Sequence, residues 1–541
     1  MSRVRRRALG WWWSLGTTVA IVPALAGAAM VACASSRYDP LAEARNSTAV
    51  SNPEASVPLQ CYAQTGASNT CWPCHSEGQG TNLRVDLELQ STYDFSDFAR
   101  ENHWRNAFLP AGGDAADLDD AEMLAWVRQD NYRPLQRALE RLAERPAFVP
   151  DVDLHGGFDE LGFARDGSGW RALRYQPFPG SGWPTNGGAG DAFVRLPAPF
   201  RQDASGAPSL EVYRANLTIL EAAIAADPSL STDDLVLRIE PIDEVEVGID
   251  LDDDGVLGRA TRLRGLPARF AGSASDVAVT RYQYPAGAEL LHTVRYLDPD
   301  APGMLARRMK EVRYARKVEV LDGWANARAY EREAEEKAEG ALPQYRGAPE
   351  VGLRNDFGWQ LTGYIEDARG RLRLQTAEEH RACMGCHSAV GVTVDHTFSL
   401  ARKVPGRDGW RPQTLEGLQD RPQVGHADGE ALAYMKRAGR ADDFGANSEM
   451  DGRFFGGGAV DAVAVRRAAP GGDRDLAWLL SPSRERALRL DRAYLVLVRA
   501  QRFAQGRDAF AEPPQQLHRM VRKGQNAADR TWNDGRLHLG W

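Results

Sequence analysis

The chain has 541 residues, 43% of them hydrophobic and 26% charged, with a formal net charge of -8 at pH 7. That length exceeds one hydrophobic core and predicts two to four folded units, while the composition excludes a disordered or fibrous chain. The acidic balance argues against nucleic acid and anionic lipid surfaces as partners and favours a basic protein partner.

The first 32 residues read as a signal peptide. Arg3, Arg5, Arg6 and Arg7 precede an uncharged apolar run from Ala8 to Ala32, followed by Cys33. The end of this run, Met30-Val31-Ala32-Cys33, resembles a bacterial lipobox, whose cysteine becomes the lipidated first residue of the mature protein. An ordinary cleaved signal and an uncleaved membrane anchor remain as alternatives, the run being nearly long enough to span a bilayer. All three put the body of the protein outside the cytoplasm. Lipidation at Cys33 implies a membrane-anchored protein on the periplasmic side of the envelope, and Ala34 in place of aspartate points, by the same resemblance, to the outer membrane. Residues 33–60 are small and polar, as a tether requires.

Residues 61–150 contain Cys71-Trp72-Pro73-Cys74-His75, then a turn-rich stretch and a helical pattern over Glu122 to Arg145 that is interrupted at Pro134. Residues 151–300 are rich in Gly, Pro and aromatic residues, with strand-like runs at 192–196, 235–239 and 277–282 and one helix over 213–226. This unit also holds Asp250-Leu251-Asp252-Asp253-Asp254-Gly255-Val256. Carboxylates at positions one, three and five with glycine at six form the front half of an EF-hand loop, so Asp250, Asp252, Asp254 and the Val256 carbonyl are candidate calcium ligands, with an unliganded acidic turn as the alternative. Position twelve is Thr261 rather than glutamate.

Residues 301–541 open with a charged stretch to about Gly340 that reads as a solvated helix. Thr376-Ala377-Glu378-Glu379 has the form of a capping box, starting a helix that runs through His380 to Cys383-Met384-Gly385-Cys386-His387. Further helices are expected at 429–437 and 483–504. The fold expected is therefore α+β multidomain, two mainly α-helical haem segments flanking a β-rich central domain.

Cys-x-x-Cys-His occurs twice, and its chemistry is specific. Two thiols so spaced can add to the two vinyl groups of one porphyrin while the adjacent imidazole binds the iron, which makes Cys71, Cys74, Cys383 and Cys386 attachment residues and His75 and His387 proximal ligands. Zinc or thioredoxin-like pairs do not require the histidine. Candidates for the sixth ligand are Met123 and Met435, each 48 residues after its proximal histidine; Met450; His103 for the first haem; and His396 for the second, core packing being the alternative role for each. His380, one turn before the motif, is placed to meet a propionate. Cys61 is left over as a packed thiol, an intermolecular bridge or, without lipidation, a partner for Cys33.

The two pentapeptides together with the signal resemble the bacterial dihaem c-type cytochromes. That resemblance implies two covalent haem c groups, electron transfer and a redox partner protein, with a dihaem peroxidase or other oxidoreductase bearing one open iron as the alternative. An anchored subunit of a larger redox complex is the third reading.

Overall fold

The computed structural model describes residues 38–48, 50–64, 95–109, 118–227, 229–339, 344–387 and 394–522. Within the unit Asp39–Trp541, ten strands of three residues or more occur among the described residues: β1 (Arg171–Leu173), β2 (Ala192–Arg195), β3 (Val236–Asp243), β4 (Arg259–Arg264), β5 (Glu289–Leu297), β6 (Leu305–Lys317), β7 (Arg346–Ala348), β8 (Gly352–Arg354), β9 (Trp359–Glu366) and β10 (Leu372–Leu374). Eight of them form one antiparallel sheet in the order β1-β2-β5-β6-β9-β8-β7, with β10 also pairing β9; β3 and β4 make a separate hairpin.

The register sets two opposite cores. Val194, Leu290, Ala315 and Leu361 stand opposite one another across four strands, and Leu353 of β8 extends the row. This face packs under the helix Leu210–Ala225, in which Ser209 caps the first turn and twelve of sixteen residues are buried. Because side chains alternate along a strand, Phe193, Leu291, Val312 and Tyr314 point the other way. There they meet Leu41, Tyr132, Leu135 and Leu139 of the N-terminal segment.

The central strand is the surprise. β6 carries Arg307, Arg308, Lys310, Glu311, Arg313, Arg316 and Lys317 in 13 residues, the first part of the stretch from Ala301 to about Gly340 expected to be helical. The second part of that stretch is the helix Gly323–Ala338, with Glu331 and Arg332 exposed as expected. β6 is a strand because its inward charges find partners. Arg308 meets Glu366 at 2.9 Å, Glu311 meets Arg313 at 2.9 Å and Arg507 at 3.0 Å, and Lys317 meets Asp395 at 2.7 Å. Buried charge is tolerated only when paired and hydrogen-bonded. Apart from Arg313, two residues along the same strand, the partners come from distant parts of the chain, so no local pattern announces them.

This architecture corrects the expected fold class. The protein does not present helical haem segments on either side of a β domain; among the described residues, helices from both ends lie on one sheet. The helices Asp120–Val127 and Tyr132–Glu140 pack against it or against the helix Arg484–Ala500. The break between the first two falls before Tyr132, and Pro134 sits in the first turn of the second, where its missing N–H costs nothing. The C-terminal part, 301–541, contributes β6 to β10, while 277–282 forms only an isolated bridge at Ala278. The strands at 192–196 and 235–239 and the helices at 213–226, 429–437 and 483–504 are present with shifted ends.

Glu311 yields the first prediction. Burial opposes its ionisation, but Arg313 and Arg507 overcome that and hold its pKa at about 2. A depressed folded pKa gives stability that is complete above the unfolded value and lost as pH falls through the folded one. Wild type should therefore exceed Glu311→Gln in unfolding free energy by roughly 3 kcal/mol near neutrality. Urea titrations should show this difference shrinking between about pH 5 and pH 2; a pH-independent difference would refute the ion-pair assignment.

Candidate functional site

The second pentapeptide begins inside the helix Ala377–Met384. Thr376 accepts from the Glu379 amide at 3.2 Å and Glu379 accepts from the Thr376 amide at 2.8 Å, completing the expected capping box. Glu379 is also gripped by Arg373 through two bonds of 2.8 and 2.9 Å, which fastens the helix to β10. His380 uses both ring nitrogens on backbone. Nδ1 is 3.0 Å from the Thr376 carbonyl, and Nε2 accepts from the Gly363 amide at 3.0 Å. It therefore positions the helix on β9 and is not free for a propionate.

Cys383 lies in the last helical turn and is half-buried against the apolar face of the sheet; Cys386 and His387 follow in the turn after it. Neither thiol is in a disulfide, and burial pushes that of Cys386 up to about 11. The His387 ring is fixed by one bond, Nδ1 to the His396 carbonyl at 2.7 Å. A carbonyl only accepts, so Nδ1 carries the proton and Nε2 keeps its lone pair, the tautomer an iron ligand needs.

The carbonyl that sets this tautomer belongs to a strained turn. The Thr397 amide donates to the Val394 carbonyl at 3.2 Å, and the central residues Asp395 and His396 have φ of 53° and 59°. Left-handed conformation at two successive non-glycine residues is costly and persists only when surroundings impose it. Here they do. The Asp395 carboxylate accepts from Lys317 Nζ at 2.7 Å and the Tyr284 amide at 2.9 Å, while Trp359 Nε1 donates to the Asp395 carbonyl at 2.7 Å. The His396 ring stacks on Phe357 with centroids 4.0 Å apart, so its backbone, not its imidazole, serves His387.

Across the sheet from Gly363 stand Arg313 on β6 and His292 on β5, in one register row on the same face. Arg313 is walled in by protein, yet 44% of its side-chain surface is accessible. His292, Cys386 and His387 are likewise partly accessible, and Arg313 acts electrostatically on all three. Asp508, on which Arg313 also acts, lines a cleft with Asp443 and Arg486. Burial, reinforced by Arg313, lowers His292 to about 4 and keeps it neutral. Sequence reasoning missed both residues. The available signal was a histidine within the strand-forming run 290–297; Arg313 lies in a charged run and gave none.

The remaining expected residues are dispersed. Cys33, Cys71, Cys74 and His75 lie outside the described residues. Met123 packs in one hydrophobic cluster and Met435 and Met450 in another, neither containing Cys383. His103 stacks on Phe98 at 3.9 Å and bonds its carbonyl through Nε2. Cys61 is exposed.

The acidic loop is built differently from its sequence pattern. Carboxylate oxygens of Glu244, Asp250 and Asp252 lie within 4.8 Å of one another. Asp254 instead accepts from the Val256 amide at 2.8 Å, and the Val256 side chain is exposed. Glu244, outside the loop, enters because a short helical turn folds it back, where it accepts from Leu251 and Gly258 amides at 2.6 and 2.9 Å. Burial, with Asp254, Glu244 and Asp250 nearby, raises Asp252, one of whose oxygens is buried without a hydrogen-bond partner.

A family model described as "-like lipoprotein" matches residues 45–143 and 83–448. An "Uncharacterized lipoprotein" of Aquifex aeolicus (strain VF5) is 32% identical over 519 residues, covering 85% of this chain and 86% of its own length. No solved structure matches. Among the described residues no helix is long and apolar enough to cross a membrane. These relations overturn the resemblance to dihaem c-type cytochromes, since neither the family nor the relative is described by cytochrome or haem. The chain belongs to this lipoprotein family, which places it at the cell envelope, held there by lipid.

Proposed function

We propose that this lipoprotein carries electrons on the periplasmic side of the envelope, tethered through Cys33 in the outer membrane, with haem attached covalently at Cys383 and Cys386 and, by the same motif, at Cys71 and Cys74. The observation that carries the reading is the His387 bond to the His396 carbonyl at 2.7 Å, which leaves Nε2 unprotonated beside two free thiols. The residues present fit the group. Thiols one turn apart are spaced for two vinyl groups, the imidazole has the ligating tautomer, and Arg313 offers accessible guanidinium surface to an anionic substituent.

Bound haem would supply a one-electron couple. The chain's own contribution is positional and electrostatic. The capping box and Arg373 fix the thiols, the strained turn orients His387, and enclosure by the sheet limits solvent, which sets the potential of such a site. The acidic surface suits a basic redox partner, and the lipid tether holds that encounter at the membrane. We infer in addition that Glu244, Asp250 and Asp252 hold calcium in a structural role, the buried lone oxygen of Asp252 being the group that lacks a partner.

Two outcomes are expected. In a host with c-type haem attachment machinery, replacing Cys383 and Cys386 together by alanine should remove one of two haems by mass. His387→Ala should keep both attached but change the spin state of one. A full haem load in the double cysteine variant would sink the proposal, whereas a high-spin haem binding cyanide in the wild type would move it toward a peroxidase. For calcium, saturation a hundredfold above Kd should stabilise the wild type by about 3 kcal/mol, and Asp252→Asn should abolish the shift; a melting temperature indifferent to calcium would refute that site.

A further inference from the structure

A second histidine lies on the sheet face against which the motif helix rests. His292 sits on the central strand β5 opposite Ala192 and Arg313, in the row that continues to Gly363, where the His380 ring anchors the motif helix. Strands lie about 4.8 Å apart, so this row brings the His292 backbone within about 10 Å of the strand on which the helix rests. Arg313 acts electrostatically on both the His292 and the His387 rings. Aromatic rings flank both histidines as well. Tyr175 meets the His292 ring edge-on at 6.2 Å, Phe398 meets the His387 ring at 5.7 Å, and Phe178 links to Phe398 at 5.4 Å.

His387 donates from Nδ1 to the His396 carbonyl, which is how metal-binding imidazoles are oriented. The Asp191 main chain acts on the His292 ring, and it is rigidly held. Its carbonyl accepts from the Thr293 amide at 2.9 Å, and its amide donates to Thr293 Oγ1 at 2.9 Å. The preceding Gly190 permits this approach, since a Cβ there would lie 1.6 Å from the Thr293 carbonyl oxygen. Among the candidates raised from sequence, Met123, Met435 and Met450 are packed in cores, His103 and His396 are stacked on phenylalanines, and His380 has both nitrogens engaged.

We propose that His292 is the second axial ligand of the iron held by His387, giving that site two imidazoles. This rests on haem attachment at Cys383 and Cys386. Paired imidazoles make a low-spin iron closed to exogenous ligands, so the site transfers electrons and does not activate a small molecule.

The test uses the full chain matured with c-type haem and compares wild type, His292→Ala and His292→Met by EPR and visible spectroscopy of the oxidised protein, with haem content measured by mass. Wild type should be low spin at this site. His292→Ala should keep its haem, lose about half of the total low-spin intensity, one haem of two, to a high-spin signal, and recover it when imidazole is added. His292→Met should stay low spin with a higher midpoint potential and a changed near-infrared charge-transfer band. An unchanged low-spin spectrum in His292→Ala with full haem load would overturn the ligand assignment. Should the alanine variant not accumulate, the methionine variant decides, an unchanged band counting against His292. Absence of haem mass on the Cys383–His387 peptide of the wild type is a different result, which overturns the attachment reading itself.

Discussion

The structure depends on paired charge at the centre of a sheet. β6 runs between β5 and β9 and carries arginine, lysine and glutamate into positions that in most proteins hold valine or isoleucine. An unpaired charge at such depth would cost several kcal/mol, so the sheet can form only when Glu366, Arg507 and Asp395 arrive together. The consequence is long-range coupling. Arg507 comes from the C-terminal segment, Asp395 from the turn beyond the second Cys-x-x-Cys-His, and Glu366 from the neighbouring strand.

That coupling places the site. Lys317 at the end of β6 neutralises Asp395, whose turn aims the His396 carbonyl at His387. Arg507 bridges Glu311 to the carbonyl of Glu379 on the motif helix, while Arg313 shares the same glutamate and acts on the His387 ring. The charges that stabilise the sheet are thus the ones that orient a ligand histidine and line its surroundings. Stability and site geometry are not separable here, so substitutions on β6 act on both.

Legibility in the sequence followed the range of the interactions. The capping box at Thr376 and Glu379, the helix leading to Cys383 and the envelope address were readable because their determinants lie within a few residues. The calcium-type loop was half readable: Asp250 and Asp252 meet as the spacing implied, but Glu244 completes the group through a fold-back that no regular loop spacing encodes. Of the charged stretch 301–340, the helix over 323–338 was readable, whereas 305–317 was misread because charge reports solvent exposure only when partners are local. Met435 and Met450 join a cluster that does not contain Cys383, because sequence separation from a histidine says nothing about which hydrophobic cluster a side chain joins; the histidine paired with Met123 lies outside the described residues.

What the chain determined by itself was its covalent and local chemistry: an export signal ending in a lipobox-like cysteine, two thiol pairs each followed by histidine, and a helix start that presents one of them. Those features are set by bonds, caps and spacings of a few residues. Only tertiary structure decided that, among the described residues, helices from before and after the sheet's strands pack on it, that Lys317 and Asp395 hold the turn behind His387, and that His292 shares a register row with Arg313 and Gly363. The physical reason is that burial and ion pairing join residues tens to hundreds of positions apart, and their energies exist only once the sheet has closed around them.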